Sequence, residues 1–152
     1  MPTVKEVLND TKKRLKEQGI DTFSLDSSLL VSEVTGLTKI QLVTHDRDEV
    51  TEEQLDRLEN LVEERLKNKP MQYILGHCEF MGLDFKVTEN TLIPRGDTEN
   101  IVEEVIATIE NSGYNTVLDM CTGTGAIAIS VAHYTKAKVT ASDISKKALE
   151  VA

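Results

Sequence analysis

Asp119, Gly123, Gly125 and Asp143 are the residues of this 152-residue chain whose types and spacing fit one piece of chemistry. The two glycines stand in Val117-Leu118-Asp119-Met120-Cys121-Thr122-Gly123-Thr124-Gly125-Ala126-Ile127-Ala128. That run reads as a buried strand, a tight turn and the start of a helix. Asp143 closes a second apolar run, Val139 to Ser142, twenty residues after Gly123. Glycines let the backbone turn sharply and approach a ligand, and the helix opening there aims N–H groups at whatever binds. Asp143 is placed to offer two acceptor oxygens to the two hydroxyls of a ribose. Asp119 is placed to accept from loop N–H groups or to touch the ligand. The chemistry is that of holding a nucleoside cofactor; the bland alternative is a glycine turn that only packs a helix on a sheet.

The loop narrows the cofactor. A phosphate-binding P-loop requires Gly-Lys-Ser/Thr, which does not occur here. The dinucleotide fingerprint requires a third glycine, and Ala128 stands in its place. Asp119 in an Asp-x-x-x-Gly-x-Gly frame suits a cofactor without pyrophosphate, and S-adenosylmethionine is favoured over a dinucleotide.

These residues need strands and helices to hold them, and the chain has two kinds of sequence. Residues 1–70 read as helices only. Thr3 and Glu6 have capping-box spacing, followed by Val4, Leu8, Thr11 and Leu15 on one face, and Gly19 ends that helix. A second helix is expected from near Asp26, with Leu29, Leu30, Val31 and Val34, to Gly36. A short third follows Thr38 with Ile40, Leu42 and Val43. Thr51 and Gln54 form another capping box before Leu55, Leu58, Val62 and Leu66, and Asn68-Lys69-Pro70 ends that helix. The stripes imply a small bundle. Over 71–91 the pattern turns to near-alternation from Tyr73 onward, with a β-hairpin at about 78–87 and its turn at Met81-Gly82. From 92 to 152 the order is a loop, a helix capped by Asp97 or Thr98 and ended by Gly113, strand 116–119, helix 125–134, strand 138–142 and a helix starting at Ser145. The fold class is α+β: a helical bundle, a hairpin linker, then an α/β segment.

Composition sets outer bounds. The hydrophobic fraction of 39% and charged fraction of 28% are those of a globular domain. The net charge is −9, with 11 basic against 15 acidic residues in 1–70 and 6 against 11 in 71–152. Neither part has the cationic excess that phosphate backbones require, so nucleic acid is not expected as a direct partner. The basic cluster Lys12, Lys13, Arg14 and Lys16 reads as a solvated helix face. No apolar signal segment or membrane-length run is read, Cys78 and Cys121 suit reduced thiols, and a cytoplasmic location is expected. His45, His77 and His133 are scattered without metal-ligand spacing, and no metal is expected.

Leu92-Ile93-Pro94-Arg95-Gly96-Asp97-Thr98-Glu99, with Glu79 to Val87 before it and the Asp119–Ala128 and Ala141–Ser145 stretches after it, resembles the HemK family. These are protein-glutamine N5 methyltransferases that modify peptide chain release factors. The resemblance runs the length of the chain. It implies a Rossmann-like class I methyltransferase domain beginning at 92, and a bundle over 1–70 that helps dock the release factor. By the same resemblance Thr122, Gly123, Gly125 and Asp143 bind S-adenosylmethionine, with Asp119 at the base of the site. Arg95 and Thr98 line the pocket edge, and Leu92 sits near the transferred methyl and the glutamine. Without that motif, Arg95 would read as half of a surface ion pair with Asp97 or Glu99. Gly96 stands where the family usually has proline. Cys121 stands where many methyltransferases have their first glycine, and reads as a packing residue rather than a nucleophile.

The family's catalytic Asn-Pro-Pro-Tyr does not occur in this chain, whose prolines are at 2, 70 and 94. No catalytic residue is therefore assigned here, and the chain reads as the N-terminal part of such a methyltransferase. Rival readings are an adenine-N6 or RNA methyltransferase, a non-catalytic release-factor-binding module, and a nicotinamide-dependent enzyme. The expected outcome is no measurable methyl transfer to release factor by residues 1–152 alone; methylation by this chain with S-adenosylmethionine would overturn that expectation.

Overall fold

The computed structural model describes residues 1–152 as two compact units, Met1–Leu75 and Gly76–Ala152. The first is all helical: α1 (Val4–Glu17), α2 (Phe23–Thr35), α3 (Gln41–Thr44), α4 (Glu52–Leu66) and α5 (Met71–Leu75). Both expected capping boxes form. Thr3 and Thr51 accept from the N–H groups of Glu6 and Gln54, whose side chains return the bond to the cap N–H. The buried stripe of α1 is Val4, Val7, Thr11 and Leu15; Val7 takes the place in the core expected for Leu8, which is only partly buried. The Thr11 hydroxyl, buried with it, donates to the Val7 carbonyl at 2.9 Å.

Three further expectations for this unit need correction. The second helix begins at Phe23, not near Asp26. Asp26 lies inside its first turn because its carboxylate is committed elsewhere: Oδ2 accepts from the Thr22 hydroxyl at 2.8 Å and from Arg65 Nε at 2.8 Å. Arg65 also donates to the Lys69 carbonyl, so this nearly buried pair ties α2 to the end of α4. On α3 only Leu42 is buried, whereas Ile40 and Val43 face solvent. Tyr73-Ile74-Leu75 is helical rather than extended. Pro70, pre-set for a first helical turn, accepts at its carbonyl from the N–H groups of Tyr73 and Ile74, and Met71, Ile74 and Leu75 pack on the bundle core.

The second unit opens with an antiparallel hairpin, β1 (His77–Phe80) and β2 (Leu83–Lys86), with Phe80 opposite Leu83 and Cys78 opposite Phe85. Met81 and Gly82 both have positive φ, 53° and 71°, as a two-residue turn matched to strand twist requires. The inward face of the hairpin carries Phe80 and Phe85, their rings 6.1 Å apart edge to face. They share a core with Val102, Ala126 and Val131. The Met81 N–H donates to Glu99 Oε1 at 2.7 Å, and the Tyr134 hydroxyl donates to the Met81 carbonyl at 2.6 Å.

After the hairpin, a 3-10 turn at Gly96–Thr98 leads into α6 (Glu99–Ser112). Neither Asp97 nor Thr98 caps α6 with its side chain, contrary to expectation. The Arg95 and Gly96 carbonyls accept from the N–H groups of Thr98 and Glu99 instead. Then come β3 (Thr116–Met120), α7 (Ala126–Tyr134), β4 (Lys138–Ser142) and α8 (Lys146–Leu149). β3 and β4 pair in parallel, with Asp119 beside Ala141 and Met120 beside Ser142. Leu118 and Met120 of β3 point to solvent, 61% and 70% exposed, so only one face of this two-stranded sheet is covered.

Replacing Arg65 by alanine is expected to lower the stability of the bundle by about 3 kcal/mol, because it strands a buried carboxylate. Replacing Arg57, whose pair with Glu33 lies at the surface, is expected to cost less than about 1 kcal/mol. Urea unfolding followed by helical circular dichroism measures both; equal losses would refute the assignment.

Candidate functional site

Parallel pairing of β3 and β4 brings the ends of both strands to one edge, where the chain turns twice. The turn after β3 is unusual backbone: Cys121, Gly123 and Gly125 all have positive φ, at 63°, 58° and 78°. Gly125 serves as the left-handed N-cap of α7. The left-handed region is costly for a residue with a Cβ, so the position held by Cys121 is one that glycine suits better. Its thiol is free and exposed, not packed as the sequence reading had it. Cys78 is the half-buried one, and burial pushes its thiol up, helped by the carboxylates of Glu79, Asp84 and Glu99.

Two carboxylates hold this turn. Asp119, buried at the end of β3, accepts at Oδ2 from the Thr122 hydroxyl at 2.7 Å and from the Ala128 N–H at 3.2 Å. It thereby fixes the turn to the first turn of α7, where a negative charge is favourable. Asp143, just past β4, accepts at Oδ2 from the Gly123 N–H at 2.9 Å and at Oδ1 from the Ser145 N–H at 2.8 Å. The backbone of Thr122 also donates to the Ser142 carbonyl at 2.9 Å. The N–H groups of Ser145 and then Gly123 hold the Asp143 carboxyl below the usual aspartate range against a smaller effect of burial.

The arrangement fits a nucleoside-bearing cofactor. Each Asp143 oxygen uses one acceptor direction on the backbone and retains another. At Gly123 no atom lies within 4 Å of where a Cβ would stand, so the turn is open on that side. Thr122 and Thr124 are buried in the turn, and Thr122 acts through Asp119. Ala128, noted in the sequence only as the third fingerprint position, and Ser145, noted only as a helix start, both donate backbone N–H groups to the site's carboxylates. The signal for Ser145 was present, because an aspartate two residues before a backbone N–H is an Asx turn.

Leu92, Arg95 and Thr98 are set apart from this network by their bonding. Leu92 is 86% exposed and Arg95 is exposed. The Thr98 N–H donates to the Arg95 carbonyl at 3.0 Å. No hydrogen bond or ion pair joins the three to the glycine turn, and Arg95 does not pair with Asp97 or Glu99. An apolar groove of about 480 Å³, lined by Ile101, Val105, Ile109, Tyr114 and Val117 among others, lies between α6 and β3 and includes none of the turn residues.

Comparison with known proteins agrees with the motifs. Residues 6–76 match the family described as the PrmC N-terminal domain. A release factor glutamine methyltransferase of Clostridium acetobutylicum is 42% identical over 149 residues, covering 97% of this chain and 52% of that protein. The protein of the same name from Moorella thermoacetica is 39% identical over 151 residues, covering 99% and 53%. That from Fusobacterium nucleatum is 39% identical over 149 residues, covering 97% and 42%. The chain thus spans about half the length of the curated relatives it matches. The HemK-family resemblance holds over nearly all of it.

Because the folded-state carboxyl of Asp143 is depressed, its bonds stabilise the turn above the ordinary aspartate pKa and are lost as pH falls through the lower folded value. The Gly123 and Ser145 amide resonances are therefore expected to titrate with a midpoint below that of a free aspartate, about 3.9, and to lose that titration in Asp143→Asn. A midpoint at or above the free value would contradict the bonding.

Proposed function

We propose that this chain carries the cofactor-cradling part of an S-adenosylmethionine-dependent methyltransferase whose substrate is the side-chain amide of a glutamine in a peptide chain release factor. Residues 92–152 form the start of its Rossmann-like class I domain, 71–91 the linking hairpin, and 1–70 the bundle that docks the release factor in the cytoplasm. The observation that carries the cofactor reading is the Asp143 carboxylate at the end of β4, bonded to Gly123 of the turn after β3. The relatives named release factor glutamine methyltransferase support the substrate.

The residues have distinct tasks in this reading. Asp143 accepts the two ribose hydroxyls, and the open side of Gly123 admits the cofactor close to the backbone; Gly125, whose Cβ position would lie 2.9 Å from the Ile129 side chain, serves the site by turning the backbone into α7. Asp119 does not itself need to touch the ligand, since it holds Thr122 and the start of α7 in place. Arg95 and Thr98 border the pocket, and exposed Leu92 meets the glutamine. The cofactor supplies an electrophilic methyl group. The protein's contribution is to hold the amide nitrogen in line with it, because that nitrogen's lone pair is delocalised and attacks poorly without orientation.

Isothermal calorimetry with S-adenosylmethionine tests the reading. The chain is expected to bind it and not NAD, and Asp143→Ala is expected to weaken binding by about tenfold or more, the worth of charged hydrogen bonds. Equal affinity in Asp143→Ala, or preference for NAD, would overturn it.

A further inference from the structure

We infer that Glu99 and Tyr134 are positioning residues for the proposed cofactor site, acting together through the backbone of Met81; the role rests on the cofactor reading above. Neither residue touches the glycine turn. Each grips one side of the same left-handed residue: the Met81 N–H donates to Glu99 Oε1 at 2.7 Å, and the Met81 carbonyl accepts from the Tyr134 hydroxyl at 2.6 Å. The first bond has an ionised acceptor and is of the stronger kind.

What this joint connects gives it a function beyond packing. Glu99 is the first residue of α6 and directly follows Thr98. The stretch Leu92–Thr98 has few bonds of its own: the Thr98–Arg95 and Glu99–Gly96 backbone bonds, a bond from Asn100 Nδ2 to the Asp97 carbonyl, and a 4.0 Å contact from Cys78 Sγ to the Pro94 carbonyl. Upstream it is pinned by buried Thr91, whose N–H and hydroxyl both donate to the Thr88 carbonyl. Downstream it is pinned by Glu99. Tyr134 is the last residue of α7, whose first residue follows Gly125. Nine residues of helix form a rod of about 13 Å that carries a displacement at Tyr134 to the turn. One residue of the hairpin turn, Met81, therefore fixes one end of both segments that bear the proposed cofactor contacts, Arg95 and Thr98 on one and the glycine turn on the other.

Three variants of the chain test this: Tyr134→Phe removes only the hydroxyl, Glu99→Ala removes the acceptor, and Glu99→Gln keeps a neutral acceptor. Amide hydrogen exchange is expected to quicken by about tenfold at Thr98, whose N–H is bonded to the Arg95 carbonyl, in Tyr134→Phe and Glu99→Ala, the loss of one such bond. The Val131 amide of α7 is expected to be unchanged, and Glu99→Gln to stay close to the parent chain. Unchanged exchange at Thr98 in both deleting variants would overturn the inference. Calorimetry with S-adenosylmethionine is expected to show weaker binding in those two variants, recovered in Glu99→Gln. Faster exchange at Thr98 with undiminished affinity would make the joint structural only and overturn its positioning role. If the parent chain bound no S-adenosylmethionine, the cofactor reading would fall, while exchange would still decide whether the joint sets the loop.

Discussion

The second unit depends on two carboxylates satisfying backbone donors at the same edge of a parallel strand pair. A turn with three left-handed residues in five has little secondary structure to stabilise it, and its N–H groups must find acceptors. From beyond β4 Asp143 accepts the Gly123 N–H of the turn and the Ser145 N–H two residues after itself, and from β3 Asp119 accepts the Thr122 hydroxyl of the turn and the Ala128 N–H of α7. The parallel register, with Asp119 beside Ala141, puts both within reach. A shift of one residue would turn Asp119 to the opposite face of the sheet and leave the Thr122 hydroxyl and the Ala128 N–H without their acceptor. The geometry that makes the turn a candidate site is thus the geometry that lets it fold.

Much of this was legible because the controlling interactions are local. Thr3 with Glu6, and Thr51 with Gln54, announce helix starts within three residues. Met81-Gly82 announces a hairpin, and Gly36 and Gly113 announce helix ends. The misses have the opposite character. The start of α2 is set by Asp26 reaching Arg65, 39 residues away. The entry to α6 is satisfied by backbone carbonyls, so its polar side chains mislead. Tyr73-Ile74-Leu75 alternates like a strand, yet Pro70 in front of it and the bundle core beside it favour a helical turn. The bond between Tyr134 and Met81 spans 53 residues, and nothing in the local sequence of either announces it.

Cys121 shows how a departure from a motif gains meaning from backbone geometry. By sequence it is one small residue in place of another. By conformation it is a side chain in a region where glycine is at ease, on a turn held by bonds at Thr122, Gly123 and Asp143. The structure therefore tolerates the cost locally and leaves the thiol on the solvent side. The helical unit has one left-handed residue with a side chain, Asn68 at φ 62°, of a type that tolerates that region; its ion pairs and capping boxes agree with its stripes, as suits a part proposed to present a surface rather than to cradle a ligand.

The uncovered face of the sheet bears on how the molecule behaves among its own copies. Leu118 and Met120 present apolar side chains beside strands with unpaired edges, a combination that invites strand-to-strand association. At neutral pH the net charge of −9 keeps copies apart. Near the isoelectric point of about 4.8 that repulsion vanishes while the apolar face stays as it is. In mild acid this sheet face is therefore one of the surfaces at which copies of the chain are favoured to associate.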